Sequence, residues 1–542
     1  MSHTPGLLYV TMQPKPGLSL DQFHEWYNNE HGPTRLRLPH IFSNGLRYAA
    51  TDGEQPHFLA AYDVTSMHHL DTPTYTSLRE NRSPREAETI GQVDVKRYFY
   101  DLVVEHKSPS YAPEKLSDKE AEGLVLVAIE ATLTDLEDAE GKLNKWYEEE
   151  HTPMLSKVPG WLRTRRYRTS TSLDPQAPLK FLMLHEYAKE NGLGGPEFKA
   201  AAGTKWRDEI FANVLAKTHR RTYSLFYVFG PAPRDLQSLA QLPSEKAFIS
   251  SDARIQTTPN KGKPVLRAFI NTKDGLSIPY QLEGNPDPAA PTVAFANSLL
   301  TSLHMWDPLI DILKTARPDL RILRYNHRGR SAVPEPPAPA TLDMLADDLA
   351  TLLTGLRIEK LHALVGVSMG GATTLRFALT YPQKLDRFVA CDFNVASSDA
   401  NTAAWKERIA VAESVGEDGT PGIKKLAGQT VARWFHPHTM SAKAETAGWM
   451  TAMVADNDVQ GFRYGCQALW DYNMREEMKS CSVPGLLVVG DGDGKGALVK
   501  AMEGFKDGVG EKGVELKIVP EAGHLPMCES PEAYWEAIKA FL

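Results

Sequence analysis

Apolar positions in the first 230 residues run through the same cycle twice. Each cycle opens with an aliphatic run, LLYVTM from Leu7 and LVLVAIEATL from Leu124, which reads as a strand. A helix follows, carrying WYNNEHGP at 26–33 in the first cycle and WYEEEHTP at 146–153 in the second. Arg47-Tyr48 then matches Arg166-Tyr167, and FLAAYDV from Phe58 matches FLMLHEY from Phe181. Each cycle closes on an aromatic-rich strand, VKRYFYDLVV at 95–104 and RRTYSLFYVF at 220–229. The order β-α-β-β-α-β predicts two tandem α+β units of ferredoxin-like type, residues 1–110 and 120–232, pairing their sheets within one chain.

Residues 233–262 are polar, contain proline and lack clear periodicity, so they read as a linker. The pattern then changes. PTVAFAN, RILRYN, LHALVGVS, RFVACDF, GLLVVGD and ELKIVPE are Val/Leu-rich strands separated by helical segments. Buried strands alternating with helices predict a doubly wound, mostly parallel sheet over residues 263–542. Amphipathic helices interrupt this rhythm at about 397–480 and read as a helical cap inserted over the sheet's edge.

Composition narrows the function without choosing it. A chain of 542 residues exceeds one ordinary core and divides into domains. A net charge of −8 with no basic stripe or tail argues against nucleic acid as the main partner. The N-terminus lacks the charged start and apolar run of a secretion signal, and no apolar stretch is long enough to cross a bilayer. Four cysteines, Cys391, Cys466, Cys481 and Cys528, lack zinc-site spacing and are too few for a disulfide framework. The expectation is a cytoplasmic protein without membrane association.

Chemistry concentrates in the second half. In LHALVGVSMGGATTL a strand runs into Gly366-Val367-Ser368-Met369-Gly370 and then a helix. A nucleophilic serine needs this sharp strand-to-helix turn, with glycines where side chains would clash. The bare string is common; a strand before it, a helix after it and a further small residue, Gly371, make it specific. Ser368 is the expected nucleophile. A hydroxyl needs a base, and the base an orienting carboxylate, in the chain order serine, acid, histidine. GLLVVGDGDG supplies Asp491 and Asp493, and EAGHLP supplies His524. Asp493, farther past the strand end, is the preferred acid, with Asp491 the alternative. The oxyanion hole is expected from the N–H groups of Met369 and of Leu299, in the loop after PTVAFA. In the first half, His31 and His151 follow a glutamate on each repeated helix. They are candidate general bases, against the alternative that the repeated motif only secures the helix end.

At this point the second half resembles the 3-oxoadipate enol-lactonases, through NSLLTSLHMWDP (297–308), GVSMGG (366–371), ARWFHP (432–437), GFRYGCQAL (461–469) and AGHLPMCESPE (522–532). The resemblance implies an α/β-hydrolase opening a small-molecule lactone or ester, without cofactor or metal. Family position favours Trp306 and Trp434 as lining an acyl pocket, with Ser298 a further candidate, against the alternative of ordinary packing between cap and core. The chain departs from the family at Asn326, where an acidic residue is usual, and at Leu300, where a glycine is usual. WYNNEHGPTRLRLPHI and WYEEEHTPMLSKVPGW resemble EthD-like dimeric α/β-barrel proteins. That resemblance implies either cofactor-free lyase or isomerase chemistry on an aromatic intermediate, giving a bifunctional enzyme, or a module for ligand binding or oligomerisation. The oligomeric state is left open.

Overall fold

The protein is described from a computed structural model, which covers residues 4–335 and 338–542. The chain folds as two compact units, Met1–Pro233 with Phe248–Ala253, and Arg234–Ala247 with Arg254–Leu542.

The first unit is built on a closed antiparallel barrel. Its strands are β1 (Gly6–Pro14), β2 (Phe42–Ala50), β3 (Phe58–Val64), β4 (Val93–Lys107), β5 (Val125–Leu133), β6 (Trp161–Thr169), β7 (Phe181–Tyr187) and β8 (Leu215–Val228). They close in the order β1-β3-β2-β8-β5-β7-β6-β4. Each sequence repeat therefore contributes four neighbouring strands, and β2–β8 and β4–β6 join the two sets. Strand alternation decides which side chains meet. Leu7 and Tyr9 belong to a core drawn from both repeats, with Leu46, Leu126, Tyr167 and Tyr223, which fills the barrel. Leu8, Val10 and Met12 pack outward against Phe23, Trp26 and Tyr27 of the first helix. In each repeat the helix widens into one π turn over the WY…EH motif: the Gly32 N–H reaches the Tyr27 carbonyl, and the Thr152 N–H that of Tyr147.

The expected linker, 233–262, carries regular structure. Leu236–Ala240 is a helix with Leu236 and Leu239 buried, β9 spans Phe248–Ile249, and β10 (Gln256–Thr258) pairs antiparallel with β11 (Val265–Asn271). These elements are two to five residues long. That is too short to show a hydrophobic period.

In the second unit the strands are β11, β12 (Ser277–Gly284), β13 (Thr292–Ala296), β14 (Arg321–Tyr325), β15 (Ala363–Val367), β16 (Phe388–Cys391), β17 (Gly485–Gly490) and β18 (Glu515–Val519). They run in the order β18-β17-β16-β15-β13-β14-β12-β11-β10. Pairing is parallel from β14 through β18 and antiparallel at β11, β12 and β14. Every residue of β13, β14, β15 and β16 is buried, as strands covered on both faces require. Between β16 and β17 the chain inserts helices Asp399–Glu413, Gly422–Trp434, Pro437–Ala442, Ala444–Ala455 and Val459–Cys466. Among the described residues no helix is long and apolar enough to cross a membrane.

Candidate active site

β15 ends at Val367, and Ser368 turns the chain into the helix Met369–Thr380 with φ 58° and ψ −118°. A non-glycine residue at positive φ is strained and persists only where its surroundings enforce it. Here they do. A Cβ on Gly366 would lie 2.2 Å from the Gly370 carbonyl oxygen, and one on Gly370 would lie 2.1 Å from that of Ala296. Strand, helix and the end of β13 thus approach more closely than any other residue allows. The Ser368 N–H donates to the Cys391 carbonyl at 2.8 Å, tying the turn to β16. Met369 opens the helix, so its N–H belongs to the unpaired amides at the positive end of the helix dipole.

The loop after β13 is equally fixed. Asn297 donates to the Tyr325 carbonyl at 2.8 Å and accepts from the Trp306 indole at 2.9 Å. Leu300 takes a left-handed φ of 68°, and its carbonyl accepts from Asn457 of the inserted helices. Leu299 sits between these anchors, buried.

Parallel strands place their C-terminal ends on one edge of a sheet. After β15, β16, β17 and β18 come Ser368, Asp392, Asp493 and His524 in turn. His524 Nδ1 and Asp493 Oδ2 are 2.7 Å apart, and the His524 N–H donates to the Trp434 carbonyl, also at 2.7 Å. A carboxylate accepting at Nδ1 fixes the tautomer that leaves the Nε2 lone pair available as a base. Asp491 instead accepts from the Ala522 N–H at 3.3 Å. Of the two carboxylates, Asp493 is the one behind the imidazole.

Residues 291–417 match the α/β-hydrolase fold family. The C-terminal half is an α/β-hydrolase. It is similar to 3-oxoadipate enol-lactonase 2 of Acinetobacter baylyi, 27% identical over 273 residues, covering 50% of this chain and 95% of the relative. Enol-lactonase 1 of the same organism is 28% identical over 276 residues, covering 51% and 96%. A solved hydrolase from Pseudomonas aeruginosa is 28% identical with a TM-score of 0.43, covering 51% of this chain and 97% of its own. The two sequence relatives and the family match relate the hydrolase half to the enol-lactonases, and the protein is an enzyme of the hydrolase type.

Two carboxyl groups of the hydrolase half escape sequence reasoning. Asp392 is 1% exposed, accepts from the Gly490 N–H at 3.0 Å and meets the Asp493 carboxyl. Burial, and then the Asp493 charge, push its pKa well up, so Asp392 is a neutral acid donating to a charged neighbour. Burial works against ionisation of Asp493 too, but His524 and the hydrogen bond from Asp392 outweigh it and hold Asp493 below the usual range. Asp392, Asp493 and His524 offer ligand atoms within 4.8 Å of one another, a spacing these hydrogen bonds already account for. Glu529 accepts from the Gly523 N–H at 2.9 Å and the His436 N–H at 2.7 Å, fastening the His524 loop to the segment after Trp434. Neither the Asp392–Asp493 contact nor the Glu529–His436 contact has a local sequence signal, because each joins segments distant in the chain.

The expected acyl-pocket residues fall in different places. The Trp434 ring lies beside that of His524, 5.6 Å between centroids and tilted 30°. Trp306 is 0% exposed, packed on Phe295 and hydrogen-bonded to Asn297, so it anchors the Leu299 loop. Ser298 is likewise 0% exposed, its hydroxyl enclosed and its carbonyl accepting from Thr301. In the barrel, His31 is bound through Nδ1 to Glu86 at 2.6 Å, whereas His151 Nδ1 is buried without a partner. Burial lowers both imidazoles to about 4.

Proposed function

We propose that the hydrolase half opens a lactone or ester by acyl-enzyme chemistry on Ser368. The observation that carries this is the 2.7 Å Asp493–His524 hydrogen bond, formed on the sheet edge where Ser368 is held at φ 58°. His524 Nε2 takes the Ser368 hydroxyl proton as Oγ attacks the acyl carbonyl. Charge on the carbonyl oxygen is met by the Leu299 and Met369 N–H groups. The C–O bond to the leaving oxygen breaks, and that oxygen takes the proton from His524; in a lactone it stays attached to the acyl chain. Water, deprotonated by His524, then attacks the acyl-serine, and Oγ regains its proton. The relatives' names favour an enol-lactone-like substrate. Four buried free cysteines are compatible with a reducing, cytoplasmic setting.

The N-terminal half is read as a tandem EthD-like barrel with ferredoxin-like repeats at 1–110 and 120–232, followed by the hydrolase domain over 263–542. The strand orders β4-β1-β3-β2 and β8-β5-β7-β6 support two equivalent units.

A screen of lactones and esters on the intact protein, repeated with Ser368→Ala, tests the hydrolase reading. The variant is expected to lose at least about 10³-fold in kcat/KM on every substrate found. Full turnover by the variant eliminates the covalent route.

A further inference from the structure

The repeated motif places the same side chains on the outer face of each half of the barrel, yet the two places differ. In the first repeat, Phe229 stacks on Tyr62 and on Tyr27, each at 5.5 Å between centroids. Tyr62 donates to the Tyr27 hydroxyl, and His31 is paired with Glu86. The cavity beside Trp26, Tyr27 and His31 there measures about 10 Å³. In the second repeat a cavity of about 260 Å³ opens between the sheet and the helices. Its walls are mostly apolar and aromatic, among them Val127, Leu143, Trp146 and Tyr147, with Arg207 and Arg220 also lining it. No lining residue among those described is acidic. The size lies just below the ~300 Å³ at which pockets for drug-sized molecules begin, which suits one or two fused rings.

Beside the two arginines, two histidines bring unpartnered nitrogens to this largely apolar space. Where the first repeat has Tyr62, the fifth residue of FLAAYDV, the second has His185, the fifth of FLMLHEY. The Trp161 indole donates to Thr164 Oγ1 at 3.0 Å, and Thr164 Oγ1 lies 3.1 Å from His185 Nδ1. Thr164 thus ties down the Nδ1 edge of His185, while Nε2, at the opposite edge of the ring, is buried without a partner. His151, stacked on Trp146 at 4.3 Å, has its Nδ1 buried and unpartnered as well. Both imidazoles are neutral at ordinary pH, since burial holds His185 down to about 3 and His151 to about 4. The cavity thus presents two unpartnered imidazole nitrogens, His185 Nε2 and His151 Nδ1, on rings 6.3 Å apart and nearly perpendicular. Buried polar atoms left unpaired are costly, and a ligand oxygen that both donates and accepts satisfies the two together.

We propose that the second repeat, and not the first, binds a small flat aromatic molecule bearing a hydroxyl, its oxygen hydrogen-bonded to His185 Nε2 and His151 Nδ1. The proposal is independent of the hydrolase reading. In the first repeat the corresponding space is taken by the protein's own Phe229, and its histidine already has a carboxylate partner.

The test is calorimetric titration of the intact protein with 2-naphthol and with naphthalene. The expected result is that 2-naphthol binds roughly tenfold more tightly than naphthalene, the difference made by pairing the two imidazoles. His185→Phe and His151→Phe are each expected to weaken 2-naphthol binding roughly tenfold, while His185→Gln, which keeps a hydrogen-bonding group, retains most of it. Phe229→Ala, which empties the first cleft, is expected to add a second, weaker naphthalene site. Equal affinity of the wild-type chain for the two probes, no binding of either, or undiminished 2-naphthol binding in both phenylalanine variants overturns the proposal.

Discussion

The 2.7 Å bond between Asp493 and His524 sets the tautomer of the proposed base, so the two neighbouring aspartates differ sharply in what they control. On the proposed chemistry, Asp493→Asn presents an N–H to Nδ1, favours the wrong tautomer and lowers kcat by about 10³–10⁴-fold. Asp491→Asn keeps an oxygen for the Ala522 N–H and is expected to stay within about threefold of wild type. Asp392→Asn should also be mild, within roughly tenfold, because Asp392 is already neutral and an amide can donate to Asp493 in its place. Steady-state kinetics on one cleaved ester separates the three. Ser368 and His524 were legible in the sequence because each has a local signature, a glycine-flanked turn and a loop before the last helix. The choice between Asp491 and Asp493 turns on side-chain direction in one short loop, which spacing does not encode. Asp392 was not legible at all, since its meeting with Asp493 depends on β16 and β17 being neighbours.

At the scale of elements, the barrel seals polar groups as well as rings. Glu186 on β7 is 2% exposed and accepts from Arg163 at 2.8 Å and from Arg165 at 2.8 Å. Burial alone would raise its pKa, but the two guanidinium charges and their hydrogen bonds outweigh it and bring the carboxyl down to about 2. The unfolded value is about 4.3. Its stabilising contribution is therefore complete above about pH 5 and is lost as pH falls towards 2. Glu186→Gln leaves two buried arginines short of an anion, with an expected loss of about 3–5 kcal/mol and a flatter acid limb in denaturant melts between pH 5 and 3. In the hydrolase half, Gly370→Ala would drive a Cβ into the Ala296 carbonyl, at an expected cost of about 1–3 kcal/mol, read by the same melts. The tandem repeat was legible because identical aromatic and charged residues recur at fixed spacing. The different fates of its two clefts were not, because they depend on where Phe229 falls, one residue past the end of β8.

At the scale of the molecule, the chain carries two units with separate cores, so heat should unfold it in more than one step. A covalent adduct on Ser368 is expected to raise one calorimetric transition and Glu186→Gln to lower the other; a single transition that moves with both changes would contradict separate cores. The strand–helix alternation of the second half and the strand cycles of the first were readable from hydrophobic period, whereas the elements within 233–262 were too short to be. The most direct measurement of the central claim is labelling of the intact protein with a fluorophosphonate, followed by peptide mass spectrometry. One adduct per chain, on Ser368, with loss of ester and lactone cleavage in step with labelling, is the expected result. Cleavage that persists in the fully labelled protein, or an adduct on another residue with Ser368 unmodified, would contradict it.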